Sequence, residues 1–258
     1  MKVVILAGGF GTRLSEETHL VPKPMIEIGG KPILWHIMKT YSHYGFNDFV
    51  ILLGYKGHII KKYFHDYFLF HNDITFDLKN NDFRVHSSVT EPWKVTLVET
   101  GRDTQTGGRI LQAKKYLNDE PFFLTYGDGV SDVNIHHLHN YHNAQKKLIT
   151  VTAVQPEGRF GSLSIVNGMV SRFNEKPKGD GSWINGGFFV CEPDVFSFIK
   201  EGEKTIFENQ PLQDLALQNQ FSAFKHDGFW KPMDTLRDKV ALEDLWSRGN
   251  PPWKVWND

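Results

Sequence analysis

The apolar run Val3-Val4-Ile5-Leu6 stops on LAGGFGTRL, where three glycines fall within four positions and Thr12 and Arg13 follow at once. A short unbroken apolar run bounded by glycine predicts a strand buried on both faces. Phe49 to Leu53 and Phe122 to Thr125 are runs of the same kind. Between the first two, Ile33, Leu34, Ile37, Met38 and Tyr41 recur at helical spacing; Pro32 suits the first helical position and Gly45 the C-terminal stop. Neighbouring parallel strands need such a crossover helix. The order strand, helix, strand therefore predicts an α/β fold, a Rossmann-like mixed, mostly parallel sheet flanked by helices.

Residues 74 to 86 depart from that order. Ile74, Phe76 and Leu78, the polar turn Asn80-Asn81-Asp82, then Phe83 and Val85 predict a β-hairpin excursion near 72–90. Further strands are predicted at Ile149 to Val154, Leu163 to Val166, Gly186 to Cys191 and around Phe224. With no internal repeat and no linker rich in Pro, Gly or Ser, residues 1–258 are expected to form a single domain. An aromatic tail near 246–258 carries Trp253 and Trp256. Two readings stand for it: docking on its own subunit, or a place in a homo-oligomer interface.

A formal net charge of -1 argues against nucleic-acid and membrane-surface partners, which select a large basic excess. Any anionic ligand must be met by local charges. The single cysteine, Cys191, cannot form an internal disulfide, and the apolar run after Met1-Lys2 is far too short for a signal peptide. These features predict a cytoplasmic protein. No apolar stretch approaches the roughly 18 residues a spanning helix needs, so no membrane partner is expected.

In an open parallel sheet, ligands bind beyond the carboxyl ends of the strands, which is where LAGGFGTRL lies. Glycine there lets main-chain N–H groups approach a ligand closely. A Walker loop is absent, and the dinucleotide fingerprint begun at Gly9 places Leu14 where its last glycine belongs. Arg13, and Lys23 within PKPM, supply the cations a polyphosphate requires; the bland alternative is a tight turn with a solvated lysine. In FFLTYGDGVSD an apolar strand runs into Gly127-Asp128-Gly129, putting one carboxylate on the same sheet edge. Asp128 suits Mg²⁺, with Asp234 of FWKPMDTLRD as a candidate partner, although a lone Asp is also an ordinary turn former. Glu175, Lys176 and Lys178 in FNEKPKGDG, and Asn185 in INGGFFV, suit a hydroxyl-rich phosphate ligand or simply a polar surface.

GGFGTRL with PKPM, the turn at Asp128, EKP, and the late Asp-Thr at 234–235 together resemble the sugar-phosphate nucleotidyltransferases, in order and spacing from end to end. The resemblance implies the nucleotide-diphospho-sugar transferase fold and a reaction joining a nucleoside triphosphate to a sugar 1-phosphate. Within that family EPWKVTLVETG, TGGRI, GRFGSL, EKPKGDG, INGGFFV, GFWKPMDTLRDK and PPWKVW are most similar to members using CTP and glucose 1-phosphate, so those substrates are implied.

The resemblance also implies roles. Leu6, Ala7, Gly8, Gly9 and Gly11 would hold base and ribose through main-chain groups, with Thr12 beside them and Gly107, Gly108 and Arg109 against the base or ribose. Arg13 would bind the β- and γ-phosphates, Lys23 the α-phosphate, and Asp128 and Asp234 Mg²⁺. Arg13, Lys23 and Asp128 would thus be catalytic. Glu175, Lys176, Asn185 and Gly186 would bind glucose 1-phosphate, Lys176 at its phosphate. A uridylyl- or thymidylyltransferase, and a non-catalytic nucleotide-sugar-binding subunit, remain as alternatives. His136, His139 and His142 in IHHLHNYH are read as an ordinary helix surface, lacking H-E-x-x-H or cysteine partners. The tail and the aromatic segment Tyr63 to Phe70 suggest a homo-oligomer.

Overall fold

A computed structural model describes residues 1–86, 90–156, 158, 161–175, 178 and 182–257, with Arg13, Ser15 and Glu16 described by their backbone alone. The three apolar runs form the predicted parallel strands: β1 (Lys2–Ala7) lies between β2 (Asp48–Leu53) and a later strand, Phe122–Tyr126. The expected helix α1 (Ile33–His43) joins β1 to β2. Pro32 sits at its N-cap, one position before the first helical residue, and Gly45 follows the C-cap with φ +83°. Helix α2 (Gly57–Phe70) leads into the hairpin β3 (Ile74–Asp77) and β4 (Asp82–Val85), antiparallel and separate from the main sheet, as its polar turn predicts.

Strand β5 (Lys94–Glu99) pairs parallel with β2, and α3 (Thr106–Ala113) returns the chain to β6 (Phe122–Tyr126). The short β7 (Gly129–Ser131), helix α4 (Ile135–Gln145) and β8 (Ile149–Val154) come next, then the hairpin β9 (Ser162–Val166) and β10 (Met169–Asn174). The strand expected from Gly186 to Cys191 differs. It consists of β11 (Ile184–Asn185) and β12 (Phe189–Cys191), both antiparallel to β8, interrupted where Gly187 and Phe188 adopt φ of +76° and +47°. Helix α5 (Gln210–Leu217), β13 (Phe221–His226), β14 (Trp230–Pro232) and α6 (Leu236–Ser247) follow. Because β12 runs antiparallel between β6 and β8 while β13 is parallel to β8, the eight-stranded sheet is mixed and mostly parallel.

Alternation along the strands gives the sheet two dry faces. Val3, Ile5, Phe49, Ile51 and Phe123 join the core under α1; Val4, Val50, Leu52, Phe122 and Leu124 join the one under α3 and α5. The C-terminal segment closes the first core. Trp253 is fully buried, stacked on Phe229 with ring centroids 5.6 Å apart, and its indole donates to His36 Nδ1 at 3.4 Å. Its own subunit therefore buries the tail.

Candidate active site

Strands β1, β2 and β6 run parallel, so their carboxyl ends share one edge of the sheet. The loop after β1 is braced there by its neighbours: Gly8 O accepts from Tyr55 N–H at 3.1 Å, and Leu6 O from Gly127 N–H at 2.9 Å. Gly11 needs its missing side chain, since its φ is +64° and a Cβ would lie 2.7 Å from Thr18 Cγ2. A Cβ on Gly8 would lie 2.3 Å from the Arg109 guanidinium. The loop continues into a 3-10 turn, Thr12–Leu14, and a four-residue α-turn, Ser15–Thr18; the full crossover helix comes only with α1.

Lys23 opens a 3-10 turn, Lys23–Met25, whose N-cap is Pro22 and whose second residue is Pro24. Its ammonium lies 2.7 Å from Asp128 Oδ2 and 2.6 Å from Asp234 Oδ1. The two acids meet because β7 pairs antiparallel with β14 and Met233 N–H donates to Asp128 O at 2.8 Å. Thr235, the next residue, caps α6 in a capping box with Asp238. Burial alone would pull the Lys23 ammonium down, but the attraction and hydrogen bonds of Asp128 and Asp234 outweigh it and raise its pKa. Lys23 thus stays charged at neutral pH.

A cavity of about 310 Å³ opens beside this cluster. Its walls include Leu6, Ala7, Gly8, Gly9, Gly11 and Thr12, together with Lys23, Arg109 and Asp128. Asp103 to Thr106 and Tyr126 also line it, and nothing local in the sequence marks them. Arg109 is 4% exposed; its guanidinium donates to Leu53 O, Thr100 Oγ1, Gly101 O and Arg102 O, locking the ends of β2 and β5 beneath the glycine loop. Gly107 and Gly108 pack against Glu203 and Thr205 and do not line the cavity. Their missing side chains make room for protein.

Asn185 donates from Nδ2 to the Tyr126 hydroxyl at 3.1 Å and accepts from Gly187 N–H at 2.8 Å. Gly186 packs on β8, and its carbonyl accepts from Trp230 Nε1 at 2.7 Å. Glu175 is exposed just after β10, and Lys178 is exposed beyond it. Lys176 and the Arg13 side chain lie outside the described residues. The histidines do occupy a helix, α4, but His142 is not on its surface: buried, it contacts Thr150 Oγ1 at 2.8 Å and Glu192 Oε1 at 3.2 Å. Among the described residues, no group of three or more His, Cys, Asp or Glu side chains is arranged to hold a metal, and no helix is long and apolar enough to cross a membrane.

Comparison with known proteins extends these observations. The family model for nucleotidyl transferase matches residues 2–247. The chain is 56% identical over 257 residues to glucose-1-phosphate cytidylyltransferase of Salmonella typhi, covering 99% of this chain and 100% of that one. It is 48% identical over 256 residues to a probable glucose-1-phosphate cytidylyltransferase of Bacillus subtilis, with the same coverage. A crystal structure of a putative glucose-1-phosphate thymidylyltransferase from Bacillus anthracis shares the fold with a TM-score of 0.69 at 19% identity, over 95% of this chain and 94% of that one.

Proposed function

We propose a specific reaction for this chain, which belongs to the nucleotidyl transferase family: it transfers a cytidylyl group from CTP to α-D-glucose 1-phosphate, releasing pyrophosphate. The choice of CTP and glucose 1-phosphate rests on the 56% identity, along the whole chain, to the Salmonella cytidylyltransferase. A phosphate oxygen of glucose 1-phosphate attacks the α-phosphorus of CTP. The new P–O bond forms as the bond to the bridging oxygen of the departing pyrophosphate breaks, which gives CDP-glucose. Because the nucleophile is already anionic, no general base is required.

Alignment and charge neutralisation must then supply the rate. Two phosphate groups brought together repel by several kcal/mol at an effective dielectric of about 20. The observation that carries the reading is Lys23, held charged in the wall of the glycine-lined cavity by two carboxylates. In this reading the main chain of Leu6 to Gly11 receives base and ribose, and Thr12 and Arg13 meet the outer phosphates. Lys23 takes the α-phosphate. Asp128 Oδ2 and Asp234 Oδ1 both contact Lys23 Nζ, and with that ammonium turned to the phosphate this hard-oxygen pair would suit Mg²⁺ completed by phosphate oxygens. When bound, Mg²⁺ would neutralise charge developing on the α-phosphate. Glu175, Lys176, Asn185 and Gly186 form the sugar-phosphate side.

The chain works as one nucleotidyltransferase domain in the cytoplasm, where a single buried thiol, Cys191, is at home. It self-associates through the apolar side chains that α2 and the hairpin leave exposed, Phe70, Phe76, Leu78 and Phe83. Pyrophosphate release, measured with CTP, UTP, dTTP, ATP and GTP in turn, each with glucose 1-phosphate and Mg²⁺, tests the reaction. Preference for CTP is expected. Preference for UTP or dTTP would move the base assignment, and no release with any of them would favour a non-catalytic nucleotide-sugar-binding subunit. Light scattering tests self-association, with a monomer mass counting against it.

A further inference from the structure

One carboxylate joins the two walls of the site. Glu208, shortly before α5, accepts from Thr106 Oγ1 at 2.6 Å through Oε2 and from the Tyr126 hydroxyl at 2.8 Å through Oε1. Thr106 opens α3 beside Gln105 in the cavity wall, and its Oγ1 also accepts from Phe207 N–H at 2.9 Å. Tyr126 ends β6, two residues before Asp128, and its oxygen accepts from Asn185.

The direction of this relay follows from proton counting. Carboxylate oxygens have no proton to give, so both hydroxyls donate to Glu208. Tyr126 has a single hydroxyl proton; with that proton committed, its oxygen can only accept, and it faces an Asn185 N–H. The Gly187 N–H, a fixed donor, pins the other end of the same amide. The Asn185 amide is thereby oriented from both ends, with its second Nδ2 proton left for an acceptor on the sugar phosphate. Burial, and then the Glu208 carboxylate, push the Tyr126 hydroxyl well above its ordinary range, so its proton stays in place at neutral pH.

We propose that Glu208 is a positioning residue that couples the two substrate subsites: through Tyr126 it orients Asn185 toward glucose 1-phosphate, and through Thr106 it anchors the head of the nucleotide-side helix. The substrates named here are those proposed above. In Glu208→Gln the side chain keeps its size but loses its charge, and its amide must donate at one of the two contacts, so Tyr126 either loses its acceptor or keeps a weaker, neutral one.

Glu208→Gln and Tyr126→Phe should each raise the KM for glucose 1-phosphate roughly tenfold, the scale of one lost hydrogen bond to a charged group, with a smaller change in kcat. The double variant should be no worse than either single one, because Glu208 acts on the sugar side through Tyr126. Thr106→Val should raise the KM for CTP and leave that for glucose 1-phosphate. Unchanged KM values in Glu208→Gln, or single effects that multiply in the double variant, would overturn the coupling. If Glu208→Gln does not fold, Tyr126→Phe with an unchanged KM for glucose 1-phosphate overturns it alone. A second readout does not depend on the substrates: the Asn185 side-chain amide resonance of the ligand-free full chain, assigned by its loss in Asn185→Asp. It should shift in Glu208→Gln and Tyr126→Phe but not in Thr106→Val. A shifted amide in a protein that does not turn over CTP with glucose 1-phosphate would refute the substrates and keep the relay; an amide unmoved in both variants refutes the relay whatever the substrates.

Discussion

Lys23 and Asp234 are separated by 211 positions in the chain, yet Lys23 Nζ and Asp234 Oδ1 lie 2.6 Å apart. The Lys23 side chain is 10% exposed, against 33% for Asp128 and 21% for Asp234, so the cation is the buried member of the trio and water reaches the acids. A charge placed this way has two duties, neutralising its partners at rest and meeting phosphate in the reaction.

Lys23→Met should separate those duties. Left without their cation, two partly hydrated carboxylates at close quarters repel, at a cost of about 2 kcal/mol in stability, below the range for a fully buried pair. Turnover should fall much further than that loss explains. A thermal melt beside a pyrophosphate-release assay checks both, and a variant with lowered Tm but near-normal kcat would remove Lys23 from the chemistry.

Asp128→Asn conserves shape while removing a negative charge from the proposed Mg²⁺ site. The rate should drop roughly a hundredfold or more, the scale seen when one designed electrostatic contact is lost. Initial rates across a Mg²⁺ titration are the measure. Wild-type rates at saturating Mg²⁺ would sink the assignment.

Gly8→Ala would drive a methyl group to within 2.3 Å of the Arg109 guanidinium, which is itself held by Leu53 O, Thr100 Oγ1, Gly101 O and Arg102 O. The clash cannot be relieved by moving Arg109 without breaking those bonds. Overpacking of this kind costs about 1–3 kcal/mol, and the nucleotide KM should rise with the displaced loop. Urea unfolding and CTP saturation curves test it; an unaltered protein by both would mean the loop has slack the packing does not show.

His36 supplies a pH prediction. Buried, and with Lys31 nearby, it has its pKa lowered to about 4, although its hydrogen bonds to main-chain oxygens pull the other way. Its Nε2–H donates to Ile28 O at 2.9 Å, while Nδ1 accepts from Trp253, so the neutral ring is the one that fits. A depressed folded-state value means the stabilisation is complete above the unfolded pKa near 6.5 and is lost as pH falls through about 4. The loss is on the order of 3 kcal/mol. Urea midpoints between pH 7 and pH 4 should fall more steeply for the wild type than for His36→Gln. Parallel slopes would exclude His36 as the source.

The sheet was legible because apolar runs and one well-spaced helix leave few ways to bury Val3 to Leu6, Phe49 to Leu53 and Phe122 to Thr125 together. The glycine loop and Asp128 were legible for a related reason: strand ends in parallel register gather their loops on one edge. Gly107 and Gly108 were not. Glycine announces a close approach without saying what approaches, and here it is the backbone and side chains at Glu203 and Thr205. The break at Gly186 to Phe188 was hidden because Phe188 has strong strand preference, yet it adopts a φ of +47°. Tyr126, Thr106 and Glu208 were missed because a relay across 82 and 102 positions has no local spacing to betray it.

The burial of Trp253 sets an order of events during synthesis. Its partner on α1, His36, is made 217 residues earlier, and the aromatic cluster around that helix is complete only when Trp253 joins it. This part of the core can therefore close only after nearly the whole chain has been made. The risk of misassociation is greatest in that interval.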